Sequence, residues 1–140
     1  MENCIFCRIA KGEIPSFKIY EDEDVFVFLD IKPFSKGHCL VIPKNHFENI
    51  FDVNENILKK VIVTAKKISE KIKNTLHADG IRISQSNGKA AGQEIMHFHL
   101  HIIPRYENDN MPMHPAATVS DLPQADFEDL KKIAEKISNK

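Results

Sequence analysis

The segment His97-Phe98-His99-Leu100-His101-Ile102-Ile103 constrains this chain more than any other. Histidine alternates with an apolar residue, and the side chains of an extended strand alternate between its two faces. The pattern predicts a strand over 95–103, with three imidazoles on one surface and Phe98, Leu100 and Ile102 turned into a core. Lysine, threonine or glutamate would serve a merely amphipathic strand equally well, so three histidines in register point to chemistry. Spacing limits that chemistry. Same-face neighbours lie about 6.6 Å apart and the outer pair about 13 Å, too far for one ion with ligand distances near 2 Å to collect all three. The work is therefore expected to be divided among them.

The flanking sequence places this strand in an α+β domain. Residues 5–11 carry apolar side chains at Ile5, Phe6 and Ile9 and run into Gly12, which predicts a short N-terminal helix. Residues 17–21 and 25–29 read as two strands joined by the acidic turn Asp22-Glu23-Asp24, and 38–42 as a third strand ended by Pro43. Asp52-Val53-Asn54-Glu55 has the spacing of a capping box. After it Ile57, Val61, Ala65, Ile68, Ile72 and Leu76 recur every three or four residues, which predicts an amphipathic helix of about 22 residues. A fourth strand spans 81–84, a glycine-punctuated loop 87–92, and the histidine strand ends at Pro104. Residues 107–123 look irregular. Phe127, Leu130, Ile133, Ala134 and Ile137 mark a C-terminal helix. The expected architecture is a mainly antiparallel five-stranded sheet with one long helix and a short helix at each end. No linker or repeat divides the chain, so residues 1–140 are read as one domain, with a core over 4–105 and a C-terminal extension over 107–140.

Charge and hydropathy exclude some functions. Nineteen basic residues against twenty acidic ones leave a formal charge of −1, which argues against a nucleic acid or a membrane surface as a partner held by bulk charge. The longest apolar run, Val25 to Leu29, is far short of the ~20 residues of a membrane helix. The start Met1-Glu2-Asn3-Cys4 has no secretory pattern, so a soluble cytoplasmic domain is expected. In a reducing compartment the pair Cys4-x-x-Cys7 reads as metal or redox chemistry rather than a structural disulfide. Redox use is disfavoured because no βαβ unit follows. Cys39, within Cys39-Leu40-Val41-Ile42, reads as a small buried side chain.

H-x-H-x-H preceded by Gly92-Gln93 is the signature of the histidine triad superfamily of nucleotide hydrolases and transferases. The likeness continues through Cys4-Ile5-Phe6-Cys7, Ile14-Pro15, Phe28-Leu29-Asp30-Ile31, Gly37-His38, Val41-Ile42-Pro43-Lys44-Asn45-His46 and Ala91-Gly92-Gln93. It covers residues 4 to about 105 and resembles most closely the compact bacterial members of the Hint-like branch. The uridylyltransferase branch, with H-P-H-x-Q, differs.

The resemblance implies a hydrolase that cleaves a purine nucleoside phosphoramidate or a similar nucleotidyl conjugate. His99 would be the nucleophile, His101 a donor to the phosphate oxygens, and Gln93 an amide aimed at phosphate or the bridging atom. Asp30 would take the ribose hydroxyls, and Phe6, Ile9, Phe28 and Ile31 the base, although such residues are equally at home in a core. Asn87 and Gly92 would contribute to the phosphate loop, which also reads as an ordinary turn. Cys4, Cys7, His46 and His97 match a structural zinc site. His38 would orient His99 or serve only as a bonded core histidine. A homodimer is implied. The alternatives are a dinucleoside polyphosphate hydrolase and a non-catalytic nucleotide-binding scaffold. Two departures concern substrate choice: Glu94 stands where many relatives have Ser or Thr, and Ser86 where asparagine is common. His77 is read as capping a helix end or facing solvent, and His114 carries no visible role.

Overall fold

The long helix and the strands it covers organise the fold. A computed structural model describes residues 3–113 and 122–138 of the chain. It contains helices α1 (Ile5–Ala10), α2 (Glu55–Leu76) and α3 (Phe127–Ser138) and strands β1 (Lys18–Glu21), β2 (Val25–Leu29), β3 (Cys39–Pro43), β4 (Gly80–Ser84) and β5 (Leu100–Arg105). The strands form one sheet in the order β1-β2-β3-β5-β4, with every neighbouring pair antiparallel. Architecture and element order agree with the sequence pattern.

Period-two alternation sorts the side chains onto two faces. Val25, Val27, Leu29, Cys39, Val41, Leu100 and Ile102 meet Val61, Ala65, Ile68 and Ile72 of α2 in the main core. Phe26, Phe28, Leu40 and Ile42 pack on the other face against Phe6 and Ile9 of α1. Strands covered on both sides must be apolar throughout, and β2 and β3 are buried at every position. Leu130, Ala134 and Ile137 of α3 also belong to the main core, and Phe127 meets Phe17 edge-on at 5.3 Å. The C-terminal helix is therefore part of the core rather than an appendage to it. The tract 107–123 is only partly described, and His114 lies outside the described residues.

Several boundaries differ from expectation. Asn54, not Asp52, caps α2: its side chain accepts the Ile57 N–H at 2.8 Å. Asp52 instead accepts the N–H groups of Glu48 and Asn49, each at 2.9 Å, and so closes the preceding turn. The histidine strand begins at Leu100, because 95–97 are bent. It passes through Pro104, whose missing N–H is tolerated because β3 pairs with β5 only from Leu100 to Ile102. His77 ends α2 in the left-handed region at φ 58°.

Gly37 leads into β3 at φ 93°. A Cβ there would stand 2.6 Å from Leu76 Cδ1 and 3.2 Å from Pro104 Cγ. Both the backbone strain and the contact oppose any side chain. Gly37→Ala is expected to lower stability by about 2 kcal/mol or more, read as a reduced urea midpoint; an unchanged midpoint would contradict this packing.

Candidate functional site

Two constellations of side chains meet at the N-terminal end of β5, and the histidine segment supplies both. The first is Cys4, Cys7, His46 and His97, whose candidate ligand atoms all lie within 4.8 Å of one another. Nδ1 of His97 is 3.3 Å from Cys4 Sγ and 3.5 Å from Cys7 Sγ, and Nδ1 of His46 is 3.4 Å from Cys7 Sγ. A tetrahedral ion with the bond lengths of zinc needs donor-to-donor edges of about 3.3–3.8 Å, and these three separations fall in that range. His97 is fully buried, and its Nε2–H donates to the Pro43 carbonyl at 2.8 Å. A carbonyl can only accept, so Nδ1 keeps its lone pair towards the thiols. The Cys7 N–H points at Cys4 Sγ at 3.4 Å. The donor set and its spacing fit a metal.

The second constellation lines a cavity of about 220 Å³. Its walls include Asp30, Arg82, Ser84, Ser86, Gly92, Glu94, His99 and His101. His99 Nδ1–H donates to the His97 carbonyl at 2.7 Å, which leaves Nε2 as the nitrogen with the lone pair. Burial holds its pKa below the usual histidine value, partly opposed by the bond to the His97 carbonyl and by the Glu94 charge. Its ring lies against Phe6 at 5.2 Å and His101 at 5.1 Å. A neutral imidazole with a free Nε2 is a nucleophile at pH 7.

His38 is fully buried. Its Nδ1 accepts the Phe34 N–H at 2.9 Å, and its Nε2 lies 2.9 Å from His101 Nδ1. With Nδ1 accepting, neutral His38 carries its proton on Nε2 and donates it to His101. His101 in turn must carry a proton on its own Nε2, where it can donate to an anion. Burial pushes both pKa values well down, with like-charge repulsion adding to the effect at His101. His38 is thus a bonded core histidine, the second of the two readings, and the ring it holds is that of His101 rather than His99. Asp30 is near as well, with Oδ2 3.8 Å from His38 Nε2; burial raises its pKa.

Other expected residues are placed differently from one another. Phe6, Ile9, Phe28 and Ile31 border an adjoining apolar cleft of about 290 Å³; the first three are also core residues, while Ile31 is exposed. Gly92 lines the cavity at φ 94°. Gln93 does not line it. Its Oε1 accepts the Gly88 N–H at 2.7 Å and its Nε2 donates to the carbonyls of Glu48 and Ile95 at 2.7 and 3.0 Å. Both amide hydrogens are thus bonded to loop carbonyls, so the side chain braces the loop. Asn87 is likewise occupied, since its Oδ1 accepts from Ile50 N at 2.7 Å and from Gln85 Nε2 at 2.6 Å. Glu94 is among the residues that border the cavity. Arg82 and Ser84 escaped the sequence reading, because only the pairing of β4 with β5 sets them beside the histidines. A larger groove of about 830 Å³, between the β1–β2 turn and the outer face of α2, contains neither histidine nor thiol.

Paired histidines beside a polar cavity, next to a Cys/His cluster on an antiparallel α+β sheet, define a histidine triad protein. The family model described as HIT domain matches residues 11–108, and the chain belongs to that family. Cys4 and Cys7 precede the matched region. The chain is 48% identical over 105 residues to Protein hit of Bacillus subtilis, covering 75% of this chain and 72% of that protein. It is 42% identical over 102 residues to an adenosine 5'-monophosphoramidase of Saccharomyces cerevisiae, covering 73% and 62% respectively. A Hit-like protein from Bartonella henselae superposes with a TM-score of 0.86 at 37% identity, covering 99% of this chain and 96% of that one. A Zn-bound histidine triad family protein from Mycobacterium smegmatis superposes with 0.82 at 32% identity, covering 99% and 92%. No helix among the described residues is long and apolar enough to cross a membrane.

The buried histidines make stability depend on pH. An unfolded histidine titrates near 6.5, whereas burial pushes His38 down to about 4. Between these values the unfolded chain binds a proton that the folded chain refuses, so stability is full above pH 6.5 and falls as pH drops towards 4. His38 alone should make urea unfolding at pH 7 and pH 5 differ by about 2 kcal/mol. His38→Asn should make that dependence shallower; the same slope in both proteins would refute the assignment.

Proposed function

We propose that this protein hydrolyses a purine nucleoside phosphoramidate or a similar nucleotidyl conjugate through a nucleotidyl bond to His99. The observation that carries the reading is the His99 ring at the cavity wall, its Nδ1–H bound to the His97 carbonyl. The base occupies the apolar cleft of Phe6, Ile9, Phe28 and Ile31, and Asp30 accepts hydrogen bonds from the ribose. His99 Nε2 attacks the α-phosphorus, the bond from phosphorus to the leaving nitrogen breaks, and that nitrogen takes a proton from solvent and departs as an amine. Water then cleaves the N–P bond and releases the nucleoside monophosphate. His101 Nε2–H donates to a phosphate oxygen as negative charge accumulates there. The yeast relative named as an adenosine 5'-monophosphoramidase supports this substrate class.

His99→Ala should reduce hydrolysis of adenosine 5'-phosphoramidate by roughly a thousandfold or more while AMP still binds within a few-fold of the parent affinity. Retained turnover would remove His99 from the reaction. Faster turnover of diadenosine polyphosphates than of phosphoramidates by the parent protein would reassign the substrate to a phosphoanhydride.

Zinc is the metal proposed for Cys4, Cys7, His46 and His97. With four protein donors and no open position, its contribution is structural, fastening α1 to the loop after β3 and to the start of the histidine segment. Zinc analysis of the purified protein should find it in stoichiometric amount, and Cys7→Ser should lose both the metal and thermal stability. Three free thiols suit a reducing compartment such as the cytoplasm. A homodimer is proposed through β4, an edge strand whose Ile83 is 43% exposed. Ile83→Arg is expected to shift the sedimentation mass from dimer to monomer; a monomeric parent protein would refute the assembly.

A further inference from the structure

Strand order lays the site out in sequence. Phe28 stands on β2 with Asp30 just beyond its end, Leu40 on β3, His101 on β5, and Ser84 and Arg82 on β4. Ser84 pairs with His101 and Arg82 with Ile103, so alternation places all four on the face that carries the cavity. Arg82 and Ser84 both line it. The apolar cleft lies over β2 and α1. Arg82 therefore stands on the far side of the histidines from the cleft.

Its bonding is also unlike that of the other two arginines. Arg105 is held by both carboxylate oxygens of Asp109, at 2.8 and 3.1 Å, and Arg8 pairs with Glu13 at 3.5 Å. Arg82 forms no ion pair with any described residue, and its Nε is buried without a hydrogen-bond acceptor. A guanidinium stays charged under all ordinary conditions, and a buried N–H without an acceptor is costly. Its planar fork matches phosphate or carboxylate oxygens. Besides the histidines, the other ionisable side chains on the wall, Asp30 and Glu94, are carboxyl groups, so Arg82 is the permanent cation that an anionic group entering the cavity meets.

We propose that Arg82 is a specificity-determining residue that binds an anionic group carried by the leaving portion of the substrate, beyond the α-phosphorus. The inference rests on the reading of His99 as the nucleotidyl acceptor, and it narrows the substrate class to conjugates whose departing part bears a phosphate or a carboxylate.

Calorimetric binding to the full-length His99→Ala protein tests this without turnover. ADP should bind at least about tenfold more tightly than AMP. The preference should vanish in His99→Ala/Arg82→Gln and survive in part in His99→Ala/Arg82→Lys, which keeps the charge. Adenosine phosphoramidates of aspartate and of its dimethyl ester separate the two anions. An Arg82-dependent preference for the free acid as well as for ADP assigns any anion, and a preference for ADP alone assigns a second phosphate. Equal binding of ADP and AMP with Arg82 present, a preference that outlives Arg82→Gln, or an equal loss for both ligands would overturn the proposal. Failure of AMP itself to bind would instead refute the nucleotide reading of the whole site.

Discussion

His97 holds the two halves of the site in register. Its ring binds the Pro43 carbonyl through Nε2 and presents Nδ1 to the two thiols, while its own carbonyl takes the Nδ1 proton of His99. One residue thus fixes the tautomer of a metal-ligand candidate through its ring and the tautomer of the reactive candidate through its backbone. Because a carbonyl only accepts, both assignments follow from geometry. The bend at 95–97 makes this possible, since a regular strand would send that carbonyl into a ladder.

The sheet divides packing from chemistry. One face is closed by α2 and α3 and holds the main core. The other is only partly covered by the six-residue α1, and the cavity and apolar cleft open beside that helix. Phe6 shows the economy of the arrangement. It packs on Phe28 at 5.6 Å, on His97 at 5.9 Å and on His99 at 5.2 Å, so a metal held by Cys4 and Cys7 would also secure the wall of the cleft. Burial disfavours the charged form of His38, His97, His99 and His101, which suits both metal ligation and nucleophilic attack.

Polar side chains on loops were the least legible part of the chain. Gln93, Asn87 and Asp52 are residue types that bind anions or cap helices, and each has instead been recruited by nearby backbone or a neighbouring amide. A sequence shows that such a group needs partners without showing which ones the fold brings near. His38 is a similar case: its place before β3 was visible, but its partner is set by the pairing of β3 with β5, which carries Leu40 to His101. Arg82 went unremarked for the same reason, because only the register of β4 against β5 sets it on the histidine face.

What the amino-acid sequence determined by itself was whatever depends on local periodicity. Alternation marked the strands, the 3.6-residue repeat marked α2, and the histidine spacing argued against one ion holding all three imidazoles; the structure places His97 among the Cys/His cluster and His99 and His101 on the cavity wall. The tertiary structure alone decided which nitrogen of each imidazole carries its proton, which polar side chains face the cavity, and that α3 completes the core. Those outcomes depend on contacts between residues far apart in the chain, and a local pattern carries no information about which distant groups will meet.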